Sequence, residues 1–372
     1  MKSTSRHIIF IAYLFEPDKT VGSKRMTYWA KNWKTIHPLD KVTVFTNTVF
    51  ESKAYGTDFQ YYIPTSHSTS LLSKAIKDEG INWSEPIKDF TKKNNISADF
   101  VLISGAPFMH FSIQTFFQNR GAKTIVDYRD PFASNPRFGN SKVKVAIKKY
   151  FENKFNRKAN AILTVNDYCL HLLAGYNSED ARYTVIKNGY DDSTTRSKED
   201  ILQNKLEVNF IYGGTFFEDR SALPLLMVLN KEKHKLHHIG AKNEFSKRLE
   251  NNENYCPYGL RLYDELMKGL FESDVCVLFS SGKAFESTTK VYDYIAANKT
   301  IWIISNTKVS SGALFEELKM YPKVLFSKND VNSLKNDLPK VLEIINDSIN
   351  YNPESFSRRN GLEKLSQLIE TL

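Results

Sequence analysis

Residues 285–304, FESTTKVYDYIAANKTIWII, place a lysine and a carboxylate three positions apart, at Lys290 and Asp293. If Thr288 or Thr289 caps a helix here, the free N–H groups of its first turn and the helix dipole favour a bound phosphate. Lys290 would add a full charge, and Asp293 could accept hydrogen bonds from two sugar hydroxyls. A carboxylate for the ribose and a cation for the diphosphate are the two groups that a nucleotide-binding site needs. The alternative is a surface ion pair worth about 0.3 kcal/mol.

Polar residues also follow other runs that predict β-strands. Gly22 follows the first run, where the missing side chain lets the backbone approach a ligand. His110 follows the third run, and Arg129 and Asp130 lie in the turn after the fourth. Ligands of open parallel sheets bind at these carboxyl ends. His110 could equally be a structural histidine, and Arg129 and Asp130 could equally pair with each other.

The elements that must position these residues alternate between short β-branched runs and longer helical patterns, which is typical of parallel α/β folds. We predict two Rossmann-like, doubly wound parallel-sheet domains, 1–190 and 207–350, facing each other across a cleft. A polar linker is predicted at 191–206, and residues 351–372 predict a helix that packs back toward the first domain. The predicted strands are 7–15, 41–46, 99–104, 123–127, 161–165, 183–186, 207–212, 236–239, 274–279, 301–305 and 323–326.

Composition excludes several classes of protein. The three cysteines, Cys169, Cys256 and Cys276, are far apart in the sequence, so neither a disulfide framework nor a zinc site is indicated, and a reducing cytoplasm is expected. The apolar run Ile8 to Phe15 is short and lacks a small-residue cleavage site, which favours a buried strand over a signal peptide. No stretch approaches the roughly 20 apolar residues of a membrane span.

The net charge of +9 belongs to the first half of the chain. Residues 1–190 hold 27 Lys and Arg against 16 Asp and Glu, and residues 137–159 hold eight basic residues against one acid, Glu152. This segment predicts either a solvated basic helix face or an attraction to an anionic membrane surface or substrate. A nucleic-acid-binding protein is a weaker alternative, because nothing resembles a nucleic-acid module. We expect no nucleic-acid partner.

The segment ESTTKVYDYIAANKTIWII resembles the glycosyltransferase family 4 signature in its K-x-x-E-Y-x-A-x-x-K-P-hydrophobic variant. Asp293 replaces the glutamate and Thr300 the proline. The wider family also carries an acidic residue near the donor sugar, eight positions before the one that corresponds to Asp293. That position is Phe285 here, so the resemblance assigns the contact with the donor sugar to the adjacent Glu286. The resemblance covers nearly the whole chain, through the ordered fragments PDKTVGSKRMTYWAKNW, ISGAPFMH, VDYRDPF, ILTVNDY, VIKNGYDD, FIYGGTFFEDRSALPLL and LFESDVCVLF.

This resemblance implies a GT-B fold and transfer of a sugar, with retention, from a UDP- or GDP-linked donor to a glycan or lipid-linked acceptor in cell-surface polysaccharide synthesis. The first domain would bind the acceptor and the second the donor. The implied donor-binding residues are Gly22, Gly214, Thr215, Arg220, Thr288, Thr289, Lys290 and Asp293. The implied acceptor-binding residues are Arg25, His110, Arg129 and Asp130, and the implied catalytic residues are His110, Glu286, Arg220 and Lys290.

The chain contains no D-x-D motif, which glycosyltransferases of the other large fold usually use to hold a metal. We therefore predict metal independence and no cofactor. The enzyme is expected in the cytoplasm, with contact to the inner face of the membrane through the basic first half. A sugar-nucleotide epimerase or hydrolase on the same fold is the main alternative, and it would need acid and base groups placed for proton abstraction.

Overall fold

The structure is a computed structural model that describes residues 5–18, 20–66, 76–136, 141–191, 207–285, 287–307, 310–346 and 351–372. Its contacts divide the chain into two compact units. The first unit contains Met1–Asn188 and Arg358–Leu372, and the second contains Gly189–Ser357. Most of the predicted linker, from residue 192 to 206, lies outside the described residues.

The first unit is built on a seven-stranded parallel sheet of order β3-β2-β1-β4-β5-β6-β7. Its central strands are continuous apolar runs because side chains on both faces are buried. In β1, for example, Ile8 to Ala12 are all buried. The strands are β1 (His7–Ala12), β2 (Lys41–Thr46), β3 (Phe59–Tyr62), β4 (Phe100–Ser104), β5 (Lys123–Tyr128), β6 (Ala161–Thr164) and β7 (Tyr183–Val185).

Helices pack against both faces of this sheet. On one face, Trp29 of α1 packs in a cluster with Leu362 and Leu365 of α12, the last helix of the chain. On the other face, Phe117 and Phe155 pack with alternate residues of the same strands. The helices are α1 (Val21–Ile36), α2 (Ser84–Lys93), α3 (Gln114–Gln118), α4 (Lys142–Lys158), α5 (Asp167–Leu172) and α12 (Arg358–Thr371), with 3₁₀ turns at Glu79–Asn82 and Met109–Ile113.

The second unit repeats this plan with a six-stranded parallel sheet of order β10-β9-β8-β11-β12-β13. Its strands are β8 (Val208–Gly213), β9 (His234–Ile239), β10 (Tyr255–Gly259), β11 (Val275–Ser280), β12 (Thr300–Ser305) and β13 (Val324–Lys328). Its helices are α6 (Leu223–Val228), α7 (Glu244–Lys247), α8 (Tyr263–Glu272), α9 (Lys290–Ala296), α10 (Ala313–Leu318) and α11 (Val331–Asn346), with a 3₁₀ turn at Pro353–Phe356.

Two strands, β3 and β10, were not predicted from the sequence. Both lie at a sheet edge, where only one side of the strand pairs with a neighbour. Only one of the four residues of β3 is buried, and β10 contains Pro257 and Gly259. Edge strands tolerate such residues because fewer ladder hydrogen bonds depend on them.

The direction of winding reverses between β1 and β4 in the first unit and between β8 and β11 in the second. At such a reversal, the loops leaving the two central strands diverge and create space for a ligand. The loops after β8 and β11 carry most of the predicted donor residues. In the described ranges, none of the helices combines the length and apolarity needed to cross a bilayer.

Candidate functional site

Lys290, the first residue of α9, lies directly against the glycine loop that follows β8. A Cβ atom built on Gly214 would be 2.0 Å from Lys290 Nζ and 2.9 Å from the Tyr212 hydroxyl oxygen. The ammonium lies 5.1 Å from the centroid of the Tyr212 ring, and the Tyr212 hydroxyl donates to the Thr215 carbonyl at 2.9 Å. The missing side chain of Gly214 therefore makes room for the Lys290 charge at the carboxyl end of the central strand.

His238, on β9, fixes this glycine loop from the opposite side. Its Nε2 lies 2.7 Å from the Gly214 carbonyl oxygen, and its Nδ1 lies 2.7 Å from the Tyr255 hydroxyl. Because a carbonyl only accepts, Nε2 carries the proton and the Tyr255 hydroxyl donates to Nδ1. Burial lowers the pKa of His238, and the charge of Lys290 lowers it further. His238 is therefore a neutral support, and the sequence predicted only its place in a strand.

Asp293 lies one turn into α9 and is half-buried. The Tyr263 hydroxyl, at the start of α8, donates to Asp293 Oδ1 at 2.8 Å. A carboxylate accepts several hydrogen bonds, so this contact orients Asp293 and leaves acceptor capacity for sugar hydroxyls. Sequence reasoning missed Tyr263, because the two residues are far apart in the chain and meet only in the folded second unit.

The predicted cap of α9 is present only in part. Thr289 occupies the N-cap position, but its side chain makes no capping hydrogen bond. The Thr288 hydroxyl instead accepts from the Lys290 amide at 3.4 Å, which is a long contact. The two threonines therefore lie where the sequence places them, at the start of the helix that carries Lys290.

A buried glutamate, Glu317 on α10, supports the segment that leads into α9. Ser287 donates to Glu317 Oε2 at 3.1 Å, and the Tyr292 hydroxyl donates to Oε1. The backbone of the same segment is bound to the start of α10, where the Ala313 amide donates to the Ala284 carbonyl at 2.7 Å. Sequence reasoning missed Glu317. Glu286, predicted to lie near the donor sugar, is outside the described residues.

Arg220 closes the loop that begins at Gly214. Its guanidinium lies over the Phe217 ring, 5.4 Å from the centroid, and its Nε is 3.9 Å from Asp219 Oδ1. The side-chain amide of Asn306, on the loop after β12, donates to the Asp219 backbone carbonyl at 2.8 Å. The loops that follow β8 and β12 thus support each other at the carboxyl edge of the sheet.

In the first unit, Arg129 binds the beginning of α1. Its two terminal nitrogens donate to the Gly22 carbonyl at 2.7 Å and to the Val21 carbonyl at 3.1 Å. A Cβ atom on Gly22 would be 2.7 Å from a methyl carbon of Leu14, so a larger residue there would require the Leu14 side chain to move. Gly22, Arg129 and the neighbouring Asp130 therefore lie together at the carboxyl edge of this sheet.

The structure places His110 in the interior, although the family resemblance implied that it is a catalytic and acceptor-binding residue. The side chain is completely buried and lies against the Trp83 ring at 5.1 Å between centroids. Burial lowers the pKa of His110 to about 3, so the ring is neutral at physiological pH. In this conformation His110 is part of the core, and none of its atoms is exposed to a ligand.

Arg25, predicted to contact the acceptor, is also internal. Its guanidinium forms an ion pair with the buried Asp127 at 3.0 Å, lies 4.2 Å from the Trp29 ring centroid and donates to the Ile186 carbonyl at 2.5 Å. Only 2% of the residue is exposed. Arg25 therefore links α1 to the ends of β5 and β7. Because its guanidinium is buried, Arg25 does not reach an acceptor in this conformation, although the resemblance had implied that contact.

A scan against protein-family models finds no match for this chain, and a search of curated proteins finds none either. Solved structures do match. Anabaena HepE in complex with UDP aligns with a TM-score of 0.64 at 13% identity, over 98% of this chain and 100% of its own. The catalytic domain of starch synthase IV from Arabidopsis thaliana, bound to ADP and acarbose, gives 0.64 at 11% identity, covering 99% of each chain.

A UDP-GlcNAc 2-epimerase from Neisseria meningitidis, bound to UDP-GlcNAc, gives 0.62 at 10% identity, over 99% of this chain and 100% of its own. The chain has the GT-B fold. The predicted fold class, two Rossmann-like parallel-sheet domains, is confirmed. Such low identities establish the fold alone, so the activity has to be argued from the site.

In this GT-B chain, the carboxyl edge of the second sheet brings together Gly214, Thr215, Lys290 and Asp293. A cation at the start of a helix suits a diphosphate, and a supported carboxylate suits a sugar. Within the described ranges, no group of three or more His, Cys, Asp or Glu side chains is arranged to hold a metal ion. Metal independence stays a prediction.

Proposed function

We propose that this protein is a glycosyltransferase that binds a nucleotide-sugar in its second unit and transfers the sugar to a glycan or lipid-linked acceptor. The observation that carries the proposal is the contact of the Lys290 ammonium with the Gly214 backbone, with the supported Asp293 one helical turn away. The neighbours solved with UDP and with ADP support a nucleoside diphosphate as the donor's leaving group. UDP or GDP is the proposed nucleotide.

The chemistry follows from the charges. Breaking the bond between the sugar and the phosphate passes through an oxocarbenium-like state and leaves negative charge on the diphosphate. Fixed positive groups directed at that charge stabilise the transition state more than the ground state. Lys290 and Arg220 would supply this charge, and the amides at Thr215 and at the start of α9 would add hydrogen bonds. Because burial keeps His238 neutral, it cannot replace Lys290 as the cation.

The remaining roles are proposals from the family resemblance. Asp293 would hold the ribose, Thr288 and Thr289 would lie beside the diphosphate, and Glu286 would contact the donor sugar. The acceptor would bind at the edge of the first sheet, near Arg129 and Asp130. We propose retention of configuration, no metal, and a role in polysaccharide synthesis at the cytoplasmic face of the membrane.

An epimerase is the second candidate, because the Neisseria UDP-GlcNAc 2-epimerase shares the fold. Such an enzyme would bind the same type of nucleotide-sugar in the same unit. It would also need an acid and a base near the sugar carbon from which the proton leaves. The ordered sequence fragments that resemble glycosyltransferase family 4 favour transfer over epimerisation.

The proposal is tested by a thermal-shift panel of UDP-, GDP-, ADP- and CMP-sugars. One nucleotide class should raise the melting temperature, because a ligand that binds only the folded state stabilises it. The donor that binds is then incubated with the protein without an acceptor, and the sugar is analysed. Interconversion of sugars at an appreciable rate would assign the protein to the epimerases. If no nucleotide class shifts the melting temperature, the proposed donor site is wrong.

A further inference from the structure

Helix α4 exposes apolar side chains along its solvent face. Val143 is 70% exposed and Tyr150 is 64% exposed, and Ala146, between them, is also exposed. Their spacing of three and four residues places all three in one line along the helix. We call Val143, Ala146 and Tyr150 the α4 stripe. The opposite side of α4 carries the buried Glu152 and Phe155, so the stripe is additional to the face that packs on the core.

Lysines flank the α4 stripe on both sides. With 3.6 residues per turn, Lys142 and Lys149 lie along one border and Lys154 along the other. All three are exposed, and no described carboxylate pairs with them. The only acid on α4, Glu152, is fully buried and accepts backbone N–H groups of Phe132, Ala133 and Ala174. The solvent face of α4 is therefore purely cationic around an apolar centre.

This arrangement differs from that of an ordinary solvated basic helix, whose exposed face is polar throughout. An apolar line bordered on both sides by lysine is the pattern of a helix that lies in a membrane interface. Tyrosine suits that position because its ring is apolar and its hydroxyl remains in water. A groove of about 600 Å³ between α4 and α5 is lined by Ala146 and Tyr150 of the stripe together with Lys149 and His171, and it has room for a headgroup.

We propose that the α4 stripe docks on an anionic lipid bilayer. Val143 and Tyr150 enter the boundary between headgroups and acyl chains, and Lys142, Lys149 and Lys154 contact lipid phosphates. Charge complementarity selects an anionic surface, and the apolar centre selects a bilayer over a polynucleotide, which would bind the lysines alone. This inference concerns the first unit and does not depend on the donor site of the second.

The test is flotation of the full chain with vesicles of phosphatidylcholine, with and without 30% phosphatidylglycerol. Wild type should bind the anionic vesicles and lose affinity as salt rises, because salt screens the lysines. Replacing Val143 and Tyr150 together by serine should weaken binding about tenfold. Replacing Lys142, Lys149 and Lys154 by glutamine should weaken it about a hundredfold, because each lysine near an anionic surface contributes about fivefold.

Matched controls exist in the same unit. Val49 and Tyr55 are 68% and 85% exposed, so their double serine variant removes the same side chains elsewhere. Lys92, Lys93 and Lys123 are all exposed, and replacing them by glutamine changes the net charge by the same amount as the α4 lysine variant does. Both controls should bind vesicles within about threefold of wild type, because neither set belongs to the α4 stripe or its borders. Unchanged melting temperatures would show that all four variants fold.

Three results would overturn the proposal. Wild type could fail to float with anionic vesicles, or the stripe and control variants could bind them equally well. The third is that wild type binds a polynucleotide and not vesicles. In that case the lysine variant would lose polynucleotide binding, and the Val143 and Tyr150 variant would keep it. That outcome would assign the basic face to nucleic acid. A nucleotide-sugar thermal shift that persists in the α4 variants would show that the donor site is intact in each case.

Discussion

Replacing Lys290 by methionine removes the charge that carries the proposed donor site and keeps an unbranched side chain of similar length. Lys290 is half-buried, so its attraction to a phosphate charge about 4 Å away lies between about 1 kcal/mol, as in water, and about 4 kcal/mol, as near a protein surface. A middle value of about 2.5 kcal/mol corresponds to roughly 70-fold weaker binding of the nucleoside diphosphate.

The same substitution should change the stability of the ligand-free protein only slightly. Lys290 lies 5.1 Å from the Tyr212 ring centroid, and such a cation–π contact contributes about 0.5–1 kcal/mol. For a unit the size of Gly189–Ser357, that loss lowers the melting temperature by about 1–4 °C. The effect on affinity therefore exceeds the effect on folding, which separates a binding role from a structural one.

Isothermal titration calorimetry with UDP and with GDP measures this prediction. Lys268→Met is the matched control, because Lys268 is an exposed lysine of the same unit, 3.9 Å from Glu272 on α8. The control should bind the nucleotide like wild type. Equal affinities for wild type and Lys290→Met would refute the reasoning, as would an equal loss in Lys268→Met.

Further predictions concern stability. Gly240→Ala would place a Cβ atom 1.9 Å from the Gly214 carbonyl oxygen, so the backbone must move, and we expect a loss of about 2–3 kcal/mol in urea denaturation; an unchanged midpoint would contradict this. Arg25→Met leaves Asp127 buried without its cation and should cost about 3–5 kcal/mol, part of which Asp127→Asn in the same chain should recover. The folded pKa of His110, about 3, is below its unfolded value of about 6.5, so the unfolded chain binds the extra proton. The free energy of unfolding should therefore fall by about 2 kcal/mol from His110 between pH 6.5 and pH 5, and His110→Leu should remove that part of the slope.

The sequence predicts the central strands of both sheets well. Runs such as 41–46 and 301–305 become strands because β-branched and aromatic side chains fill both faces of a parallel sheet. The two edge strands escape prediction because their neighbours on one side are missing and their composition is less constrained. Strand ends are also predicted imprecisely, since the predicted strand 7–15 ends at Ala12 in the structure.

The sequence also places Lys290 and Asp293 on one helix that follows a strand, because a helix brings residues three apart to one side. The apolar residues Val291, Tyr294 and Ile295 of the same helix are buried in the structure, as the helical pattern requires. These inferences need only local periodicity and the rule that ligands bind at the carboxyl ends of parallel strands.

Only the tertiary structure decides which polar residues face solvent and which satisfy one another inside. His110 and Arg25 follow or precede turns in the sequence as a binding residue would, yet both are buried. The partner of Arg25 is Asp127, about a hundred residues away, and Asp293 meets Tyr263 from another helix. Periodicity reports the side of an element on which a residue lies, whereas burial and charge pairing depend on what packs against that side. That information comes from distant parts of the chain.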